Sequence, residues 1–389
     1  MKAGQDLSDK EGELMDVFSI ILLGFLLFVF QDWYFEKNWA KNLEVTLDFQ
    51  PKQLFVGDKG KLVETIINRK LLPLPWIWVK FQIDKGIFFK DSENDRLSDD
   101  YYSNDIYSVL GFQKIERSLE FECRKRGYYN IKTLDVVAPN VLFTRKMNGG
   151  FKSSTSVLVY PRFIKLDEVV SQNVHQLGDT AVRRFINPDP FEFASIRDYQ
   201  PHDTFKSINF AQSAKLNKLM VNACLPTAEK ELIIVLNFKR HNIWDDDALF
   251  EGSISIAATI ADTFIPQGFS TGLISNGCDF KSGDSLYLPC GVGEGRLYLM
   301  LEALARIDLK KDGDSIIPML ENLTGQKDNA VVVLISSHHD KELIECYEGL
   351  KNKGISTSWI MPRMYYDMNK EVPEISNLVL QGVEGYDKV

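Results

Sequence analysis

Paired cysteines are the first thing this chain lacks. Its 389 residues hold five: Cys123, Cys224, Cys278, Cys290 and Cys346. The count is odd, the spacing is wide, and no Cys-x-x-Cys pair occurs. That argues against a disulfide framework and a cysteine-built zinc site, and for free thiols in a reducing compartment. Dense basic blocks are missing too. At a net charge of −9 the chain offers phosphate backbones no cationic surface, so nucleic acid is not expected as a partner. Catalytic signatures are equally absent. There is no Gly-x-x-x-x-Gly-Lys-Ser/Thr loop, no His-Glu-x-x-His, no Gly-x-Ser-x-Gly elbow and no Gly-x-Gly-x-x-Gly. Gly57-Asp58-Lys59-Gly60-Lys61 has the wrong spacing for phosphate. Gly291–Gly295 follows Pro289-Cys290 rather than a buried strand, as a loop that positions a helix would. Neither a cofactor nor a small-molecule substrate is expected from these residues.

Long hydrophobic runs are scarce, which makes the one present informative. From Val17 to Phe30 only Ser19 and Gly24 interrupt an apolar stretch closed by Asp16 on one side and Gln31-Asp32 on the other. Fourteen helical residues reach about 21 Å, short of the roughly 30 Å of hydrocarbon in a bilayer. Trp33, Tyr34, Phe35 and Trp39 follow, and such rings suit the membrane interface. Residues 17–35 reach about 28 Å by the same rise, so they are read as a single transmembrane anchor behind an N-terminal tail, 1–16. A cleaved signal peptide wants a basic start and an Ala-x-Ala site. Here Asp6, Asp9, Glu11 and Glu13 precede the run. A buried core helix is the remaining alternative. Lys2 and Lys10 before the run and Lys37 and Lys41 after it barely set an orientation. The thiol usage favours a single-pass protein of the cell membrane with its soluble domains in the cytoplasm.

The apolar fraction of 44%, with 25 Phe and 14 Tyr, is enough to build more than one core after the anchor. Residues 43–160 read as short strands. Leu43–Phe49 alternates with period two, Leu62–Ile67 is a second strand, and Gly127-Tyr128-Tyr129 opens a third over Ile131–Val137. Pro73 and Pro75 place Leu71–Val79 at an edge or crossover, and the polar Lys90–Asp105 stretch reads as a loop. Strands without a long helix predict an all-β sandwich. A connecting segment, 161–230, comes next. From 231 the rhythm changes to buried strand and amphipathic helix. Leu232–Leu236 and Val331–Ile335 are continuous apolar runs. Between and after them fall helices over Ala248–Phe264, Gly295–Ile307 and Asp340–Lys351, and strands over Thr271–Ser275 and Ser356–Met361. Such alternation predicts a doubly wound α/β sheet over 231–370, followed by a C-terminal tail, 371–389.

Arg197–Lys215 fits no helical or strand period. It mixes ionic, aromatic and small residues. It resembles the signature of the domain-of-unknown-function-58 family, which runs roughly Arg-x-Tyr-x-x-Gly-Asp-x-x-Arg-x-Ile-x-Trp and then Ser-Ala-Arg. Arg197, Tyr199, Asp203, Ile208, Ser213 and Ala214 match. His202, Lys206, Phe210 and Lys215 stand where relatives more often have Gly, Arg, Trp and Arg. Val56-Gly57-Asp58, Asn68, the Pro-Leu-Pro-Trp segment ending at Trp76, and Arg126-Gly127-Tyr128 carry the likeness into the first domain. The resemblance implies a membrane-anchored bacterial protein whose α/β sheet is a von Willebrand A-like domain. It further implies a non-catalytic adaptor or scaffold beside an AAA+ ATPase of the MoxR type.

In that fold a metal often sits at the C-terminal edge of the first strand, on an Asp-x-Ser-x-Ser motif. The matching residues here are Asn237, Lys239 and His241, an amide and two bulky or cationic side chains, so no metal is expected. Lys239 or Arg240 would place a cation there instead, with Asp340 as a single carboxylate nearby. His338-His339-Asp340 reads as a strand-to-helix loop with Asp340 at a helix N-terminus. The signature residues Arg197, Asp198, Tyr199, Asp203, Lys206, Ile208, Ser213, Ala214 and Lys215 have two readings. In one, an Arg197–Asp203 pair with Tyr199 and Phe210 as anchors and close packing at Ser213-Ala214 pins the segment to the sheet. In the other they form a docking patch for a partner. Two further functions stay open: an outward-facing envelope or adhesion module, and a hydrolase using Asp203 and His202.

Overall fold

The structure, a computed structural model, describes residues 2–90, 96–97, 100–140, 143–174, 176, 188–200, 205, 208–226, 231–240, 246–293, 295–311, 313–323, 330–368 and 373–384. The chain divides into two compact units, Met1–Val159 and Tyr160–Val389.

The first unit opens with α1 (Lys2–Asn38). Its segment Phe18–Asn38 is long and apolar enough to cross a membrane. Every residue from Phe18 to Phe30 is exposed. The last turns differ: Phe35 and Trp39 are buried in the core of the unit. The helical backbone starts at Lys2, so residues 2–16 of the expected tail continue the same helix. Glu, Lys, Leu and Met favour that continuation, and no proline interrupts it.

Ten strands follow: β1 (Leu43–Gln50), β2 (Gln53–Phe55), β3 (Lys59–Asn68), β4 (Leu74–Asp84), β5 (Ile87–Phe89), β6 (Arg96–Leu97), β7 (Asp100–Val109), β8 (Lys114–Cys123), β9 (Gly127–Pro139) and β10 (Lys146–Tyr160). They form a four-stranded sheet, β1-β3-β8-β5, and a six-stranded sheet, β2-β10-β9-β4-β7-β6. Leu43, Val45, Leu47 and Phe49 of β1 point inward, as period two requires. They meet Leu62 and Ile66 of β3, Phe121 of β8, and Ile77, Val79, Leu134, Val136 and Val157 of the other sheet in one core. Two expectations are corrected here. Lys90–Asp105 is not simply a loop, because Arg96–Leu97 pairs with β7 and Asp100–Val109 pairs with β4; backbone ladders form whatever the side chains. Nor is Leu71–Val79 an edge: β4 lies between β9 and β7. Its prolines are tolerated because Pro75 falls where the β4–β7 register shifts between Leu74 and Ile77, and pairing with β9 begins only at Trp78.

In the second unit β11 (Pro188–Asp198) and β12 (Met220–Pro226) form an antiparallel pair around α2 (Phe210–Leu216). A mixed seven-stranded sheet follows: β13 (Glu231–Leu236), β14 (Ser270–Asp279), β15 (Ser285–Gly291), β16 (Ile307–Asp308), β17 (Ala330–Ile335), β18 (Ser356–Met364) and β19 (Leu378–Val383). The order is β15-β14-β13-β17-β18-β19, with β16 also on β14. β14, β13, β17, β18 and β19 run parallel, and β15 and β16 antiparallel. The crossovers carry α3 (Asp246–Phe264), α4 (Arg296–Ala305), α5 (Ile317–Leu323) and α6 (Lys341–Asn352). Ile233, Val235, Val332, Leu334, Trp359 and Met361 share a core with α5 and α6. The alternate residues Leu232, Ile234, Leu236, Val331, Val333 and Ile335 are equally buried, which is why both central strands read as unbroken apolar runs. The segment 371–389, expected as a tail, contains β19, which pairs with β18 from Trp359↔Leu378 onward. Gln381 sits fully buried inside it and disguises the strand, yet its Oε1 accepts a hydrogen bond from the Asp167 N–H at 2.9 Å.

Candidate functional site

Parallel strands deliver their C-terminal ends to one edge, and loops converge there. In the second unit β13 ends at Leu236, and Asn237, Phe238 and Lys239 continue from it. β17 ends at Ile335 and runs through Ser336 to Asp340, the N-cap of α6. Asn237, Lys239, Asp340 and Leu343, with Asn276 of β14 and residues 313–317, line a cavity of about 170 Å3.

Two amides bridge the strand ends. Asn276 Nδ2 donates to Asn237 Oδ1 at 3.1 Å and to the Asp314 carbonyl at 3.0 Å, and its Oδ1 accepts from the Phe238 N–H at 2.8 Å. Asn237 Nδ2 donates to Ser336 Oγ at 3.0 Å, and that hydroxyl donates to the His338 carbonyl at 2.7 Å. Both asparagines and Ser336 are buried. The Ser336 hydroxyl spends its proton on a carbonyl, so no base activates it here as a nucleophile.

Lys239 Nζ pairs with Asp340 Oδ2, and His338 Nε2 lies 3.2 Å from the same oxygen. Asp340 Oδ1 accepts the Leu343 N–H at 3.1 Å and caps α6. Burial by itself would raise the Asp340 carboxyl. Lys239, the Leu343 N–H and His338 outweigh it and hold the group below its ordinary range. The hydrogen bond to Asp340 in turn raises the Lys239 ammonium. Arg240 leaves the cavity altogether: it pairs with Asp247 at 3.0 Å, donates to the Leu309 carbonyl and lies over the Phe250 ring. Of the two cations expected at this edge, Lys239 is the one that reaches the carboxylate. His241 lies outside the described residues. The side-chain donors that line it are two amides, the Lys239 ammonium, the Ser315 hydroxyl and the carboxylates of Asp314 and Asp340; Asp340 is already paired with Lys239, so a hard divalent cation would have to displace that ammonium to reach it. Among the described residues no group of three or more His, Cys, Asp or Glu is gathered to hold a metal.

The signature segment forms a second locus. Arg197 is on β11, opposite Val221, and its Nη1 donates to the Asp198 carbonyl at 3.1 Å. Asp198 pairs with Lys218 at 2.8 Å. The Tyr199 N–H donates to the Leu219 carbonyl, and buried Ile208 bridges to Val221. Ser213 is a clamp rather than a packing residue. Its Oγ donates to the Asn209 carbonyl at 2.7 Å and accepts the Met220 N–H at 2.8 Å, while Asn209 caps α2. Ala214 and Lys215 are exposed, so close packing at Ala214 is corrected. Phe210 is corrected as well. It is 64% exposed, and α2 buries no residue at all. The ring of Phe205, at 77% exposure, lies 6.3 Å from it and tilted, and Leu216 and Leu219 are exposed as well. His202, Asp203 and Lys206 lie outside the described residues, and with them the expected Arg197–Asp203 pair and the hydrolase pair.

Residue-by-residue reading missed Asn276, Ser336 and the 313–317 segment. The signal was there: a polar amide inside the otherwise buried run of β14 is costly unless every hydrogen bond is made. Gly291–Gly295 leads into buried Arg296, whose Nε and Nη2 donate to the Thr271 carbonyl at 2.9 and 2.7 Å and tie α4 to the sheet edge.

A family model described as "Protein of unknown function DUF58" matches residues 195–389, half of the chain. The uncharacterized protein YeaD of Bacillus subtilis (strain 168) is 23% identical over 241 residues, covering 61% of this chain and 56% of that protein. The chain thus spans little more than half the length of that curated relative. Among solved structures, the CARDB domain of the PF1109 protein from Pyrococcus furiosus is 12% identical, covering 31% of this chain and 94% of that one at a TM-score of 0.21. A non-cellulosomal cohesin from Archaeoglobus fulgidus is 9% identical, covering 35% and 96% at a TM-score of 0.21. Likenesses of that size carry no argument about this fold.

Proposed function

This chain belongs to the DUF58 family, and from that premise we propose that it is a membrane-anchored, non-catalytic adaptor. In this reading α1 is a single-pass anchor, the first unit is a β-sandwich, and the sheet of the second unit is a von Willebrand A-like domain without an intact metal site. The soluble units face the cytoplasm and work with an AAA+ ATPase of the MoxR type. One observation carries the proposal. The family's own signature segment exposes Phe205, Phe210, Leu216 and Leu219, with the Phe205 and Phe210 rings 6.3 Å apart. Exposed aromatics cost solubility and are enriched where partners dock. The strand-end cavity supports the same reading, since the Asp340 carboxylate is spent on Lys239 and on the cap of α6.

Co-isolation from native membranes tests it. The full chain, cross-linked in place, is expected to bring down an AAA+ ATPase. Phe205→Ser with Phe210→Ser should lose it at unchanged expression and unchanged melting temperature. An identical set of proteins with both chains, or no ATPase with either, overturns the proposal.

A further inference from the structure

The turns at one end of the first unit carry large apolar side chains that are left exposed among the described residues. Leu71 in the β3–β4 turn, Leu110 and Phe112 in the β7–β8 turn, and Phe143 in the β9–β10 turn are each about half exposed or more, and Trp76 stacks on Phe143 at 4.3 Å. Topology brings these turns together. Leu43 pairs with Asn68, the Asn68 N–H donates to the Gln113 carbonyl, Leu74 pairs with Val109, and Lys146 pairs with Pro139. That end is also where α1 enters the unit. The base of the β9–β10 turn is bonded to the helix: Asn140 Nδ2 donates to Asp32 Oδ1 at 2.8 Å, and Arg145 pairs with Asp32 and Glu36. Asp32 is the residue at which the exposed apolar stretch of α1 stops.

Two of the tips are held in an unfavourable backbone. Phe112 has φ +55° and Phe143 has φ +57°. A bulky side chain is unfavourable in the left-handed region, where glycine or asparagine is the usual occupant. Phe112 stays 71% exposed and Phe143, despite its contact with Trp76, about half exposed, so much of each ring is left unburied. Each gains if its ring is buried elsewhere. The exposed apolar run Phe18–Phe30 spans about 20 Å of helix against roughly 30 Å of hydrocarbon, so the bilayer surface has to come close to the turns at the level of Asp32. Lys37, at 5.2 Å over the Trp33 ring, and Lys41 supply cations at that level.

We infer that this end of the first unit is a lipid-contacting surface, with Leu71, Leu110, Phe112 and Phe143 seated in the boundary between headgroups and acyl chains beside α1. The inference rests on α1 being the anchor. The unit is then held on the bilayer at several points rather than swinging from a single helix.

The full chain, reconstituted in nanodiscs of phosphatidylcholine and phosphatidylglycerol with a diazirine high on the acyl chain, provides the test. Photolysis and peptide mapping are expected to find lipid adducts on α1 and on the turns bearing Leu71, Phe112 and Phe143. The turn adducts should fall severalfold in Phe112→Ser with Phe143→Ser. Adducts on α1 with none on the turns overturn the inference and leave the anchor standing. No adduct on α1 overturns both. Turns that cross-link to a protein or to a second copy instead of to lipid also overturn it.

Discussion

Asn276→Ala should destabilise the second unit by about 2–4 kcal/mol, the cost of stranding several buried polar groups at once. Truncation removes both donors and the acceptor of the Asn276 side chain. It strands the Asn237 carbonyl oxygen, the Asp314 carbonyl and the Phe238 N–H. Each stranded group costs roughly 1–3 kcal/mol, and the sum is reduced because the adjacent cavity can admit water. At about 2–4 °C per kcal/mol for a unit of this size, the melting temperature should drop by about 5–15 °C. Hydrogen exchange should localise the loss to the peptide that carries Phe238. Asn276→Asp is no rescue: a carboxylate still accepts from Phe238 but cannot donate to Asn237 or Asp314, and it buries a charge. Unchanged exchange at Phe238 would show that the amide bridge does not hold the strand ends.

Glu64→Gln should make the chain more stable at pH 8 than the wild type and remove the part of its pH dependence between 5 and 7 that Glu64 contributes. Glu64 lies on the inward face of β3, 1% exposed, and accepts from the Tyr107 hydroxyl of β7. Its cross-strand neighbour Arg117 of β8 is committed to Asp105 at 2.5 Å and reaches the Tyr107 hydroxyl at 3.4 Å. Burial therefore dominates and pushes the carboxyl up to about 7, against the lowering effects of Tyr107 and Arg117. The sign follows from proton binding. Between 4.5 and 7 the unfolded chain releases this proton and the folded chain keeps it, so this group's contribution to stability falls as pH rises and then levels off. A displacement from 4.5 to about 7 bounds the effect at about 3 kcal/mol. Glutamine mimics the protonated form and still accepts from Tyr107. Urea midpoints at pH 5 and 8 decide it: equal pH dependence in the two chains would mean that Glu64 ionises freely inside the sheet pair.

The parts of the fold that announced themselves did so through burial on both faces or through caps. Leu232–Leu236 and Val331–Ile335 are continuous apolar runs because helices cover both sides of the sheet, and Asp340 at the head of α6 is a side chain that accepts from Leu343. Where the sequence misled, one local property outvoted a non-local one. Gln381 and Gly382 hide β19, whose place depends on pairing with β18 and not on its own composition. The polar residues of β6 and β7 hide an edge ladder, and Pro75 hides an internal strand because the register shift beside it is invisible in one dimension. Glu64 could have been found, since Leu62, Glu64 and Ile66 share the inward parity of β3. The mutual arrangement of Lys239, Asp340, Asn237 and Asn276 could not, because they come from three strand ends that only the parallel register brings together.

The account turns on that edge being closed by the chain's own cation, and a divalent-ion titration reads this most directly. Calorimetry of the full chain with Mg2+ and Mn2+, alongside Asp340→Asn, is predicted to give no saturable binding at millimolar metal in either chain, with Lys239 remaining on Asp340 in the wild type. Stoichiometric binding by the wild type that disappears in Asp340→Asn would contradict it. It would mean that a metal displaces the Lys239 ammonium and that the cavity is a working metal site.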